Sequence, residues 1–219
     1  MSEIEREKRA AAEAAAALVE DGMTVGLGTG STVHYLLPAI AARRITVRCI
    51  ATSPRTEQQA RDLGIDVGPF EHLDRPLDIA IDGADQIAPD GWLVKGGGGA
   101  LTREKIVAAA ADRFVVIASS NKVVDRLEPR VPLELLAYGL PMTLRALAPT
   151  TVRDAPRSPD GGVIADYEGE VGDPAALAAR LSRTPGIVEH GLFEPVLVAD
   201  VLIARGRAIE HRRLKRAPP

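Results

Sequence analysis

Five short runs of this chain are apolar at almost every position: "MTVGLG" (23–28), "ITVRCIAT" (45–52), "LDIAID" (77–82), "RFVVIAS" (113–119) and "ADVLIARG" (199–206). A strand with one face in water alternates apolar and polar residues, so unbroken runs belong in a sheet covered on both faces. The intervening stretches carry helix formers. Helices are expected over residues 3–21, closed by Asp21-Gly22, from the Ser31 turn to Arg44, from Pro54 to Leu63, and again after four consecutive glycines at 96–99. Buried strands alternating with helices make an α/β architecture with a mostly parallel sheet.

Beyond Asn121 the texture changes. Pro129, Pro132, Pro141, Pro149, Pro156 and Pro159 follow closely, and "VPLELL", "TTVRDA" and "GVIADYE" read as shorter strands. In "DPAALAARLSRT", Asp173 is placed to cap a helix whose first position is Pro174. The expected division is a larger α/β domain over 1–127 and 200–219 with a smaller α+β unit over 128–199. The basic end "RGRAIEHRRLKRAPP" is expected to be a solvated chain terminus.

The 219 residues are 46% hydrophobic, enough for a substantial core, and the net charge of -3 gives no reason to expect a nucleic acid or an anionic membrane as partner. The single Cys49 lies in an apolar run and has no second cysteine to pair with, which fits a reducing compartment. The charged N-terminal segment resembles neither a signal peptide nor a membrane span, so a cytoplasmic location is expected.

Ligands of open α/β sheets bind beyond the carboxyl ends of the strands, and four such ends carry unusual residues. "GLGTGST" places glycines and the hydroxyls of Thr29, Ser31 and Thr32 at a helix N-terminus, an arrangement suited to an anion. It is a poor dinucleotide fingerprint: the third glycine is missing, and the next strand ends in Ala51-Thr52-Ser53 rather than an acidic residue. That second end, "ATSPRT", adds the hydroxyls of Thr52, Ser53 and Thr56, one of which helix capping explains. In "DIAIDGADQI", Gly83 is expected to break the strand and turn Asp82 and Asp85 into one pocket, for acid–base work, for magnesium, or as a polar turn. The fourth end, "LVKGGGGALTREK", sets Lys95 beside a bare backbone, with Thr102 expected to cap the following helix. Glu104 in its first turn is either a complement to the helix dipole or a general base. The four histidines show no metal-ligand spacing, so no metal is expected.

In this order and at these spacings, "GLGTGST", "ATSPRT", "DIAIDGADQI", "LVKGGGGALTREK" and "ASSNKVVD", with "PGIVEHGLF" and "ADVLIA" later, resemble the ribose-5-phosphate isomerases of type A. The resemblance implies a Rossmann-like domain with a small ferredoxin-like domain inserted late, and a cofactor-free enzyme interconverting ribose 5-phosphate and ribulose 5-phosphate as a homodimer or homotetramer. It implies catalytic roles for Glu104, Asp82, Asp85 and Lys95. Substrate contacts are implied at Thr29, Gly30, Ser31, Thr32, Gly83, Ala84, Gly96, Gly97, Gly98 and Lys122, together with Asp82, Asp85 and Lys95. Departures fall in the small unit, where "RSPDGGVIADY" stands in place of a segment like "VTDNGNYILD" and "LAYG" in place of "IPFA". Two other readings are a sugar-phosphate sensor without catalysis and, by fold analogy, an acyl-CoA transferase with a glutamate nucleophile.

Overall fold

The structure is a computed structural model and describes residues 1–214. In chain order its first half contains α1 (Glu3–Ala16), β1 (Thr24–Leu27), α2 (Val33–Ala42), β2 (Arg48–Ala51), α3 (Pro54–Asp62), β3 (Asp66–Val67), β4 (Ile79–Gly83), β5 (Gln86–Ile87), β6 (Leu93–Val94), α4 (Leu101–Ala109) and β7 (Phe114–Ser119). The second half contains β8 (Val131–Leu135), α5 (Leu140–Ala146), β9 (Thr150–Val152), β10 (Val163–Tyr167), α6 (Pro174–Ser182), β11 (Ile187–His190), β12 (Leu192–Phe193), β13 (Asp200–Arg205) and β14 (Ala208–Arg213).

The five apolar runs form β1, β2, β4, β7 and β13 of a seven-stranded sheet in the order β14-β13-β7-β4-β1-β2-β3, parallel throughout except for β14. The central strands β13, β7, β4 and β1 bury both faces, as their continuous hydrophobicity requires, and β3 and β14 form the edges. Ile79, Ile81, Val115 and Ile117 join the core under α1 and α2, while Ala80, Val116 and Ala118 join the core under α4. Helix α1 lies close to the sheet because the face it presents is Ala11, Ala12, Ala15 and Ala16. The strand order runs one way from β1 to β3 and the other way from β4 to β13. The crevice beyond β1 and β4 is therefore the switch point at which a ligand is expected.

A separate four-stranded antiparallel sheet, β11-β8-β10-β9, carries α5 and α6 and has its own core, including Leu133, Leu135, Ala165 and Leu181. Asp173 caps α6 by accepting hydrogen bonds from the backbone of Ala175 and Ala176. A third, small sheet, β12-β6-β5, ties the return of the chain to the strand preceding Lys95.

Two expectations change. Helix α1 ends at Ala16 rather than near 21, because the chain turns there and the guanidinium of Arg43 takes the freed carbonyls of Ala16 and Val19. The basic C-terminal segment is not a solvated tail over its described part. Residues 208–213 pair antiparallel with β13 as the edge of the main sheet, and Leu214 packs against the core under α4; residues 215–219 lie outside the described residues. No helix among the described residues is long and apolar enough to cross a membrane.

Glu7 of α1, 3% exposed, joins distant parts of the main sheet. Its carboxylate accepts from the Ser120 amide (2.9 Å) and hydroxyl (2.8 Å) and from the Gly206 amide (2.7 Å). Removing these acceptors gives up three charge-assisted hydrogen bonds to half-buried and exposed donors. Glu7→Ala is expected to cost about 2–4 kcal/mol and Glu7→Gln less, measured as a shifted denaturation midpoint with the slope unchanged.

Candidate active site

The register of the central strands places the first piece. Leu27 pairs with Ile81, so the next residues, Gly28 and Asp82, stand side by side at the carboxyl ends of β1 and β4. A Cβ on Gly28 would lie 1.9 Å from the Asp82 carboxylate, so only glycine allows that side chain to cross the end of β1. The Asp82 Oδ1 there accepts from the amides of Gly83 (2.7 Å) and Thr29 (3.1 Å).

Lys95 is held by the small sheet at its back. Its amide donates to the Gly191 carbonyl at 2.8 Å, and its ammonium lies 5.3 Å from the ring centre of Phe193 on β12. The side chain is 2% exposed. Nζ donates to Asp82 Oδ2 (2.7 Å) and the Gly83 carbonyl (2.6 Å) and stands 3.1 Å from Glu104 Oε2. Glu104 arrives on α4, whose buried stripe is Leu101, Glu104, Val107 and Ala108, the spacing that turns one helix face inward. Helix α4 starts at Leu101 and lacks a side-chain cap. Thr102 does not cap it; its hydroxyl donates instead to Glu134 of β8 at 2.5 Å.

Two buried carboxylates thus share one ammonium, and they are not equivalent. Asp82 has three donors, whereas Glu104 Oε2 is buried near the ammonium without a well-directed hydrogen bond. Burial, reinforced by the charge of Asp82, pushes the Glu104 carboxyl up to about 8, with Lys95 opposing the shift. The dipole of α4 also favours the anion, and burial outweighs it. Burial raises Asp82 too, against Lys95 and the two amides. Burial alone would lower Lys95, but Asp82 and Glu104 raise it, so the lysine stays charged.

Lys95 and Glu104 open onto a cleft of about 330 Å³, lined also by Thr29–Val33, Gly83, Ala84, Asp85, Gly96–Gly98 and Lys122. Asp82 lies behind Lys95 and does not line it. Strand β4 ends at Gly83, as expected, but the two aspartates part: Asp82 stays behind Lys95, and only Asp85 lines the cleft. Asp85 Oδ2 accepts the Gly97 amide at 2.8 Å, and Oδ1 is 3.9 Å from the Lys122 ammonium. The amides of Gly97 and Gly99 are not free for a ligand, since Gly99 donates to the Gly96 carbonyl. At the second strand end the hydroxyls serve the protein. Ser53 caps α3, Thr56 donates to the Gly28 carbonyl, and Thr29 bonds Thr52, Ser53 and Thr56 at 2.8–3.2 Å.

Glu134, Arg153, Ser158 and Phe193 escaped the sequence reading. Each reaches the site only through tertiary contact: Glu134 joins Ser158 and Thr102, Arg153 holds the carbonyls of Gly96 and Gly97, and Phe193 underlies Lys95. No local pattern marks them. Among the described residues no cluster of three or more His, Cys, Asp or Glu side chains is placed to hold a metal ion.

Removing Lys95 leaves two buried carboxylates without a cation. Below the ordinary carboxylate pKa both are protonated and little is lost; as pH rises, folding must keep two acids neutral that the unfolded chain ionises. Lys95→Met is expected to destabilise by about 3–5 kcal/mol near pH 8 and by clearly less near pH 5, read from denaturant midpoints at the two pH values.

The model of ribose 5-phosphate isomerase A (phosphoriboisomerase A) matches residues 48–207, and that of the DeoR C-terminal sensor domain matches residues 3–63, a segment that stops short of Asp82, Lys95 and Glu104. Ribose-5-phosphate isomerase A of Roseiflexus sp. (strain RS-1) is 47% identical over 205 residues, 85% of this chain and 87% of the relative. The ribose 5-phosphate isomerase A of Methanocaldococcus jannaschii superposes with a TM-score of 0.89 at 31% identity, over 95% of this chain and 99% of the other. A D-ribose-5-phosphate isomerase solved in complex with phospho-erythronic acid superposes with a TM-score of 0.90 at 28% identity, over 97% and 100% of the two chains. With most of its length inside that family model and close to half its residues shared with a relative, this chain belongs to the ribose 5-phosphate isomerase A family.

Proposed function

We propose that the protein interconverts D-ribose 5-phosphate and D-ribulose 5-phosphate through an enediolate, as a step of the non-oxidative pentose phosphate pathway. The observation that carries the mechanism is Glu104: a carboxyl on the cleft wall, pushed up to about 8, with the Lys95 ammonium 3.1 Å away. A base is most effective when its pKa lies near the working pH, because it then both accepts and returns a proton.

The open-chain aldose lies with C1 and C2 against Glu104 and its phosphate toward Thr29–Thr32, where the α2 N-terminus and hydroxyls favour an anion. The Glu104 carboxylate removes the proton on C2, and the electron pair forms the C1–C2 double bond as the aldehyde oxygen takes the negative charge. Lys95 stabilises that charge from a buried position where water does not screen it. Glu104 then returns the proton to C1, and the C2 oxygen becomes the ketone as its hydroxyl proton leaves. Asp85, which lines the same cleft beside Lys122, moves the hydroxyl protons, including those of ring opening. Asp82, behind Lys95, is a positioning residue that keeps the lysine charged and aimed. Gly30, Ser31, Gly83, Ala84 and Gly96–Gly98 shape the substrate's bed.

The small unit over 128–199 is read as a ferredoxin-like insertion into a Rossmann-like domain of 1–127 and 200–219. The element order β8-α5-β9-β10-α6-β11 and sheet order β11-β8-β10-β9 support this reading. Its exposed Leu136, Tyr138 and Met142 suit a contact between subunits, in keeping with a homodimer or homotetramer. Cys49, whose thiol burial pushes up to about 12, fits the reducing cytoplasm.

The test is ketose formation from ribose 5-phosphate by the purified protein without added metal or cofactor. Glu104→Gln is expected to lower kcat by at least about a hundredfold with the fold intact, and near-normal turnover in that variant would refute the assignment. For the unmodified protein, kcat/KM is expected to fall about tenfold per pH unit below about 8, as Glu104 becomes protonated.

A further inference from the structure

The glycine loop 96–99 is held from outside the cleft by one side chain. Arg153, immediately after β9, sends Nη1 to the carbonyls of both Gly96 and Gly97, each at 3.1 Å. The rest of the guanidinium is braced by Asp166 of β10, with Nε to Oδ2 at 2.8 Å and Nη2 to Oδ1 at 2.6 Å. Arg153 does not line the cleft.

The C=O and N–H of a trans peptide point in opposite directions. The Gly96 carbonyl shares its peptide with the Gly97 amide, and the Gly97 carbonyl with the Gly98 amide. Drawing both carbonyls toward Arg153 therefore turns both amides away from it. The Gly97 amide is found donating to Asp85 Oδ2 at 2.8 Å, on the cleft wall. The Gly98 amide has no protein acceptor among the described residues, and Gly98 lines the cleft. Consecutive glycines have little intrinsic preference for one peptide orientation over its flip, so the orientation has to come from a partner. A charged donor on a carbonyl also polarises the amide of the same peptide. An ion pair serving only to join β9 to β10 would be complete at Asp166; the contacts to the two glycine carbonyls call for a further role.

We infer that Arg153, braced by Asp166, is a positioning residue that sets the glycine-loop peptides so that the Gly98 amide faces the substrate as a donor to developing negative charge. The inference rests on the enediolate reading above. A donor already fixed in place stabilises the transition state more than the ground state, so its loss acts on turnover more than on substrate affinity.

Arg153→Met and Arg153→Lys are to be assayed with ribose 5-phosphate beside the unmodified protein, with circular dichroism and thermal midpoints recorded for each. Arg153→Met is expected to lower kcat by about ten- to a hundredfold with KM changed less than about threefold, and to keep the kcat/KM limb near pH 8, since Arg153 does not touch Glu104. Arg153→Lys keeps a cation beside Asp166 but loses the planar fork, and is expected to lower kcat at least about threefold. A folded Arg153→Met with unchanged kcat, or one whose loss lies entirely in KM, overturns the inference. If that variant does not fold, Arg153→Lys decides: full turnover there overturns it. Failure of the isomerase reading looks different, because the unmodified protein would then form no ketose.

Discussion

A single buried ammonium serving two carboxylates governs the arrangement of the site. In a water-poor pocket one cation balances one anion, so Asp82, Lys95 and Glu104 hold an extra proton or an uncompensated charge near neutral pH. The asymmetry of their hydrogen bonds decides where that proton resides. Asp82 is fixed by Lys95 and two amides, while Glu104 carries the raised pKa and faces the cleft. The same burial that makes the group costly to ionise brings its pKa to about 8, which is what the proposed role of base requires.

Three parts of the chain have to meet for this to hold. The crevice between β1 and β4 supplies Asp82, and Gly28 leaves room for its carboxylate. The small sheet fixes the backbone at Lys95 through Gly191 and sets Phe193 beneath the ammonium. Helix α4 turns Glu104 inward and is held at its first turn by Thr102 to Glu134 on β8 and by Arg103 to Asp160 in the loop between β9 and β10. The four-stranded sheet and its loops therefore hold the helix that bears Glu104 and the glycine loop without contributing a cleft-lining residue.

The Asp82–Asp85 pairing and the Thr102 cap failed for related reasons. Strand β4 does end at Gly83, but by then Asp82 is already engaged by Lys95 and two amides, while Asp85 lies beyond the strand and bonds the Gly97 amide. Thr102 is a good capping type, yet a buried acceptor on another unit offers its hydroxyl a charge-assisted bond that a cap cannot match. The C-terminal basic segment misled for a third reason. Its charged residues sit on an edge strand, where the adjacent Ala208 and Ile209 are too few apolar residues to stand out from a solvated tail.

The apolar runs by themselves determined a parallel sheet covered on both faces, because continuous hydrophobicity leaves no face for water. The unusual residues after β1, β4 and β6 line one cleft, whereas the hydroxyls after β2 bond to the protein itself. Sequence order did not separate Asp82 from Asp85, nor decide whether Glu104 merely complements a helix dipole. Those depend on how many donors and how much water surround each carboxylate, quantities that exist only once distant segments are packed. Arg153 and Glu134 belong wholly to that second category. Their partners lie 57 and 32 residues away along the chain, so only the tertiary structure brings them to the site.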